Sequence, residues 1–138
     1  MKIVSACLAG EPCRYDGSAK PCKKVIELVK HGKAIPVCPE LLGGFDTPRD
    51  AAEQREGKVY TCHGEDVTMR FQKGAYQVLK IAKQNNCTEA ILKSKSPSCG
   101  SCEVYDGTFS GTLIERDGEC TKLLKQHGID VITEDNLV

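Results

Sequence analysis

Short apolar runs alternate with amphipathic stretches along this chain, and few folds accommodate that order. Residues 2–6 (Lys-Ile-Val-Ser-Ala) are apolar, partly β-branched and too short for a helix, which predicts a buried strand. From Pro21 to His31 the apolar residues Val25, Ile26, Leu28 and Val29 share one helical face, and Gly32 supplies a stop. Residues 34–37 read as a second strand ending at Cys38-Pro39-Glu40, although Pro36 removes one ladder donor. Gly43-Gly44 and Thr47-Pro48 mark a loop, and the polar stretch behind it runs to Gly57. Residues 58–61 and 65–68, separated by His63-Gly64, suggest a small hairpin. Between Thr68 and Asn86, Phe71, Ala75, Val78, Leu79 and Ala82 fall on the stripe of a long amphipathic helix. Residues 89–93 predict a strand that runs into a cysteine-containing loop. A Gly-rich loop follows, then a helix over 118–127 and a closing strand over 130–133. Strand–helix–strand repeated in this way predicts one α/β domain over residues 1–138. Its sheet is expected to be mainly parallel, Rossmann-like, with helices on both faces.

Composition narrows the function classes. Nineteen Lys and Arg balance nineteen Asp and Glu, so no global positive field draws nucleic acid. No apolar run approaches the ~20 residues needed to span a bilayer, and the first residues are too strand-like for a secretory signal, so a cytoplasmic location is expected. Nine cysteines are the odd feature. An odd count cannot pair completely within one chain, and in a reducing compartment the thiols pose a metal or redox question. Cys22, Cys87 and Cys120 lie in or beside predicted helices and read as packed thiols. Cys62 beside His63 has the look of a metal pair, which seldom suffices alone.

The other five fall at special places. Cys7, Cys38 and Cys99 each follow a predicted strand by a few residues, and open α/β sheets bind ligands outside the carboxyl ends of their strands. Cys13 lies in the loop after Cys7 and can reach the same point, and Cys102 lies three residues after Cys99. Zinc favours paired Cys knuckles, of which only Cys99-x-x-Cys102 is present. An iron–sulfur cluster accepts widely separated thiolates, and Cys99 with Cys102 also fits a redox dithiol. Spacing alone leaves all three readings open: a catalytic cluster, a non-catalytic zinc or iron–sulfur module, or a thiol oxidoreductase.

Three stretches taken together resemble a known family. They are residues 4–10 running into Cys13-Arg14-Tyr15-Asp16-Gly17; Val37-Cys38-Pro39-Glu40 with Gly43-Gly44 and Thr47-Pro48-Arg49; and residues 91–93 with Ser96-Pro97-Ser98-Cys99-Gly100. Residues 57–74 and 106–111 fit the same pattern, so the similarity spans nearly the whole chain. The chain resembles the thiouracil desulfidases, small proteins long catalogued as a domain of unknown function.

The resemblance implies a 4Fe–4S cluster held by three cysteines and a non-redox desulfuration that converts thiouracil and water to uracil and hydrosulfide. Cys7, Cys13, Cys38 and Cys99 match the family's candidate ligands; Cys7, Cys38 and Cys99 are the expected set, with Cys13 as replacement. The family's assisting glutamate and serine map to Glu40 and Ser96, with Ser98 close behind. A base within hydrogen-bond reach is what water attack on a polarised carbon requires. Arg14, Asp16 and Arg49 are polar loop residues able to contact a pyrimidine edge. The expected partner is a small thiolated pyrimidine or nucleoside; charge gives no indication of tRNA. Cys102 departs from the family pattern, and Cys22, Cys62, Cys87 and Cys120 lie outside it.

Overall fold

The computed structural model describes residues 1–137. Four short parallel strands form the central sheet: β1 (Lys2–Ser5), β2 (Ala34–Val37), β5 (Glu89–Leu92) and β8 (Asp130–Thr133), in the order β2-β1-β5-β8. Pro36 stands opposite Val4 on an edge strand, where a missing N–H leaves no inner ladder broken. Strand alternation divides the core in two. Ile3, Val37, Ala90 and Leu92 face α3 (Thr68–Gln84) and α4 (Glu119–Gln126), while Val4, Ala34 and Ile91 face α1 (Lys23–Lys30). Both sheet faces are therefore covered, as the sequence pattern predicts. Among the described residues, no helix is long and apolar enough to cross a membrane.

The order of crossovers matters for function. From β1 the chain passes through α1 to β2 at one edge, then returns by α3 to β5 on the other side of β1. From β5 it continues outward through α4 to β8. The direction of winding reverses between β1 and β5, which makes their carboxyl ends the crevice where such sheets bind ligands.

Two small antiparallel pairs lie outside the sheet, and both depart from the sequence expectation. β3 (Ala52–Arg55) pairs with β4 (Lys58–Thr61) across a Glu56-Gly57 turn in which both residues have positive φ, the twist that two-residue hairpins favour. The expected partner of β4, residues 65–68, contributes a single bridge between Tyr60 and Asp66. Asp66 Oδ1 then accepts the Thr68 N–H at 2.9 Å, which bends the backbone out of extension and into α3. β3 hides in a polar stretch because the side chain it buries is Gln54. The second pair, β6 (Val104–Tyr105) with β7 (Leu113–Ile114), lies inside the expected Gly-rich loop.

A short helix, α2 (Pro39–Leu42), follows β2 directly, with proline in its first turn. It lies backbone to backbone against α3. A Cβ built on Gly74 would stand 1.9 Å from the Pro39 carbonyl oxygen, and one on Gly43 would stand 2.2 Å from that of Arg70. Glycine at both positions is what permits the approach. Phe45 closes this corner edge-on against Phe71, their ring centres 5.4 Å apart.

Candidate active site

Each strand that borders the crevice ends in a cysteine segment. After β1 the chain tightens into a 3-10 turn, Ala6–Ala9, which carries Cys7 and turns away at Gly10 with φ 96°. Cys38 is the residue before α2, and the loop after β5 carries Cys99. Cys13 returns from the loop behind Cys7. All four thiols are unpaired and line one cleft of about 330 Å³, whose walls also include Glu40, Arg49, Ser96 and two tyrosines, Tyr15 and Tyr105.

Burial and mutual proximity set the character of these thiols. Loss of hydration pushes Cys7 up to about 11, against the pull of Lys93 and Arg14. Cys99 is raised by its complete burial and by the neighbouring thiols of Cys120, Cys7 and Cys38; a hydrogen bond from Ser5 opposes them. Cys13 and Cys38 share a hydrogen bond that raises Cys13 and lowers Cys38. The Leu41 N–H in the first turn of α2 lowers Cys38 further. Cys38 is the one thiol of the four held below its ordinary range, and the others would become thiolates only where a cationic centre displaces their protons.

No three of the four bring their sulfurs within 4.8 Å of one another, among the described residues. A single zinc ion needs its ligand sulfurs closer, since each lies ~2.3 Å from the metal. A cluster, with its irons at separate corners, spreads its ligands wider. A donor set of soft sulfurs gathered in one cleft from three strand ends fits an iron–sulfur cluster.

Ser5 is a site residue that the sequence reading missed. Its hydroxyl donates to Cys99 Sγ at 3.4 Å and accepts the Lys93 N–H at 2.9 Å, joining the ends of β1 and β5 at the reversal point. The available signal was a polar residue in an otherwise apolar strand. Gln54, only 2% exposed, is another: its Nε2 donates to the carbonyls of Pro97 and Asp117 at 2.9 and 3.0 Å and so braces the Cys99 loop from behind.

Glu40 and Arg49 meet in the cleft wall, Arg49 Nε to Glu40 Oε1 at 3.0 Å, with side chains 17% and 7% exposed. The same guanidinium donates to the Cys13 carbonyl at 2.9 Å, to Thr47 Oγ1 at 3.1 Å and to the Asp46 carbonyl at 3.3 Å. One residue thus ties the Cys13 loop, the segment after Cys38 and its own loop together. Ser96 Oγ accepts the N–H groups of Ser98 and Cys99 at 3.1 and 3.0 Å, which shapes the Cys99 turn.

Other expected site residues lie elsewhere. Ser98 does not line the cleft; it is 0% exposed, and its Oγ has no hydrogen-bond partner among the described residues. Asp16 is exposed and also outside the cleft, its carboxylate held by the Ser18 hydroxyl and N–H, which lowers it. Arg14 does line the cleft, as do Lys93, from the segment 91–93 that carries part of the resemblance, and Glu53, which the sequence did not single out. Lys93 Nζ pairs with Glu134 at 2.8 Å. Cys102 is exposed with φ 68°, its N–H bound to Asp117, while Cys99 is buried. Cys120 packs fully buried in α4, Cys22 caps α1, and Cys87 lies just beyond α3.

A sheet reversed beside a thiol-lined cleft has counterparts among known proteins. The family model described as 2-thiouracil desulfurase matches residues 3–136, and the chain belongs to that family of enzymes. A solved structure, a 4Fe–4S-dependent thiouracil desulfidase named TudS, superposes with a TM-score of 0.93 at 44% identity, covering 98% of this chain and 91% of that one. The uncharacterised protein YbbK of Bacillus subtilis strain 168 is 47% identical over 147 aligned positions, covering 99% of this chain and 97% of YbbK.

Proposed function

We propose that this protein hydrolyses the thiocarbonyl of thiouracil, or of a related thiolated pyrimidine or nucleoside, releasing the oxo base and hydrosulfide without net oxidation. The observation that carries this reading is the gathering of free thiols from the ends of β1, β2 and β5 in one cleft at the sheet's reversal point. The family and the cluster-dependent structural relative point to the same chemistry.

Cys7, Cys38 and Cys99 would hold a 4Fe–4S cluster, each from a different strand end. Cys13, hydrogen-bonded to Cys38, stands beside them as the alternative ligand. When bound, the cluster supplies an iron with an open position, a soft Lewis acid suited to a thiocarbonyl sulfur. Glu40 takes the proton of the attacking water, and Arg49 fixes where that carboxylate points. Ser96 has its lone pairs engaged by two backbone N–H groups, which leaves its O–H free to donate into the cleft. Tyr15, Tyr105 and Arg14 offer a flat ring an aromatic wall and a hydrogen-bond donor.

The experiment is anaerobic purification followed by iron, acid-labile sulfide and sulfide-release measurements with 4-thiouracil. About four irons and four sulfides per chain, with turnover lost in Cys7→Ser, Cys38→Ser and Cys99→Ser, is the expected result. A protein that takes up no iron and acid-labile sulfide on reconstitution overturns the reading. Dependence on both Cys99 and Cys102 would instead assign a redox dithiol.

A further inference from the structure

Away from the cleft, the pairing of β3 with β4 gives Cys62 and His63 a third companion. The Cys62 N–H donates to the Ala51 carbonyl at 2.9 Å, which sets the turn after β4 beside residue 50. Cys62 Sγ, a ring nitrogen of His63 and a carboxylate oxygen of Asp50 all lie within 4.8 Å of one another. His63 Nε2 stands 3.6 Å from Asp50 Oδ1. The three side chains are solvent-exposed, His63 at 74% and Asp50 at 52%, so an ion can reach them.

The backbone beneath them is held in place. Thr61, buried at the end of β4, accepts the N–H groups of His63 and Glu65 on its hydroxyl at 3.3 and 3.2 Å, and its carbonyl accepts the Gly64 N–H at 2.9 Å. On the other side, Arg49 anchors the chain immediately before Asp50 through its contacts with Glu40 and the Cys13 carbonyl. Three donors presented by a braced turn and a braced loop need only side-chain rotation to converge on one ion. Loss of side-chain entropy is then the main conformational cost of binding.

We propose that Asp50, Cys62 and His63 form a second, mononuclear metal site for a borderline divalent cation of the zinc type. The donor chemistry selects the class. One thiolate, one imidazole and one carboxylate suit zinc-type ions, whereas magnesium and calcium favour all-oxygen shells. Three protein ligands leave a fourth position to water. On binding, the Cys62 thiol releases its proton to solvent and the ion takes the thiolate. The bound ion links residue 50 to the turn at 62–64 and so stiffens the loop that carries Arg49.

The test uses the protein as purified, with whatever iron it holds, because zinc is counted separately from iron by elemental analysis. Equilibrium dialysis against buffered zinc should load one equivalent at this site. Zinc-edge X-ray absorption of the loaded protein should show a single sulfur at ~2.3 Å with nitrogen and oxygen neighbours at ~2.0 Å. Cys62→Ser and His63→Asn should each weaken that equivalent at least tenfold and Asp50→Asn severalfold, with iron content unchanged in all three. Zinc uptake that survives both Cys62→Ser and His63→Asn, or a shell with two or more sulfurs, overturns the site; the latter would place the zinc among the cleft thiols. Because iron and zinc are read independently, failure here leaves the desulfuration reading standing, and the reverse holds.

Discussion

Replacing Gly74 by alanine tests the packing that places Cys38 and Glu40. In an exposed helix the change would stabilise α3 by about 0.8–1 kcal/mol through intrinsic propensity. Here the added Cβ would lie 1.9 Å from the Pro39 oxygen, 2.8 Å from its carbonyl carbon and 3.2 Å from the Gly43 nitrogen. All three are backbone atoms, so no side chain can rotate away and α2 itself must move. Overpacking typically costs about 1–3 kcal/mol, and rigid obstacles put this case at the upper end or beyond. The net expectation is a loss of about 2 kcal/mol, a fall in Tm of roughly 6–10 °C for a chain of this size. Thermal and urea unfolding followed by far-ultraviolet circular dichroism measure it, with Lys73→Ala on the exposed face as a control within about 0.5 kcal/mol of the parent. Iron content should fall with stability, because Pro39 adjoins Cys38. A Gly74→Ala protein with an unchanged or raised Tm would show that propensity dominates and would refute the close-approach argument.

Ser5→Ala should leave the Lys93 N–H without its acceptor, at about 1–3 kcal/mol, and remove the hydrogen bond to Cys99 sulfur. A more negative cluster reduction potential, read by spectroelectrochemistry, is the expected companion, since hydrogen bonds to sulfur help set that potential. Arg49→Ala should slow turnover and cost about 1–3 kcal/mol by leaving Glu40 unpaired in a largely buried wall, whereas Arg49→Lys, lacking the fork, should restore little. In the cluster-free protein, burial raises Cys120 to about 12 and Cys7 to about 11, so between pH 9 and those values the unfolded chain sheds thiol protons that the folded chain keeps. Stability is then full below pH 9 and declines above it, by roughly 1 kcal/mol per pH unit for each such thiol. Cys120→Ala should flatten the decline in denaturant midpoints measured from about pH 8.5 to 11.

Elements that bury apolar side chains at regular spacing were legible in the sequence. The parallel strands, α1, α3 and α4 all follow that rule, and with them the strand ends where Cys7, Cys38 and Cys99 sit. What escaped was held by polar or backbone contacts. β3 buries an amide instead of a hydrocarbon, and α2 is a single turn whose seat on α3 depends on Gly43 at its own end and Gly74 across the contact. The same holds within the site. Glu40 was visible through the resemblance and Arg49 as a polar loop residue, but their pairing depends on how the loop at 45–51 folds back, which no local pattern encodes. Ser98 illustrates the converse: turn chemistry placed it beside Cys99, while the fold turns its side chain inward.

The reversal between β1 and β5 also sets an order of events during synthesis. A ribosome delivers Cys7 first, Cys38 next and Cys99 only after α3 and β5 have emerged. β1 is the inner strand on which both β2 and β5 register, so the first piece made must wait for one of the later pieces before its second edge is paired. The three thiols cannot stand together until that long-range pairing closes. Metal loading is therefore a late step in the life of this chain, and a nascent fragment ending before β5 carries Cys7, Cys13 and Cys38 but lacks both Cys99 and the crevice that gathers them.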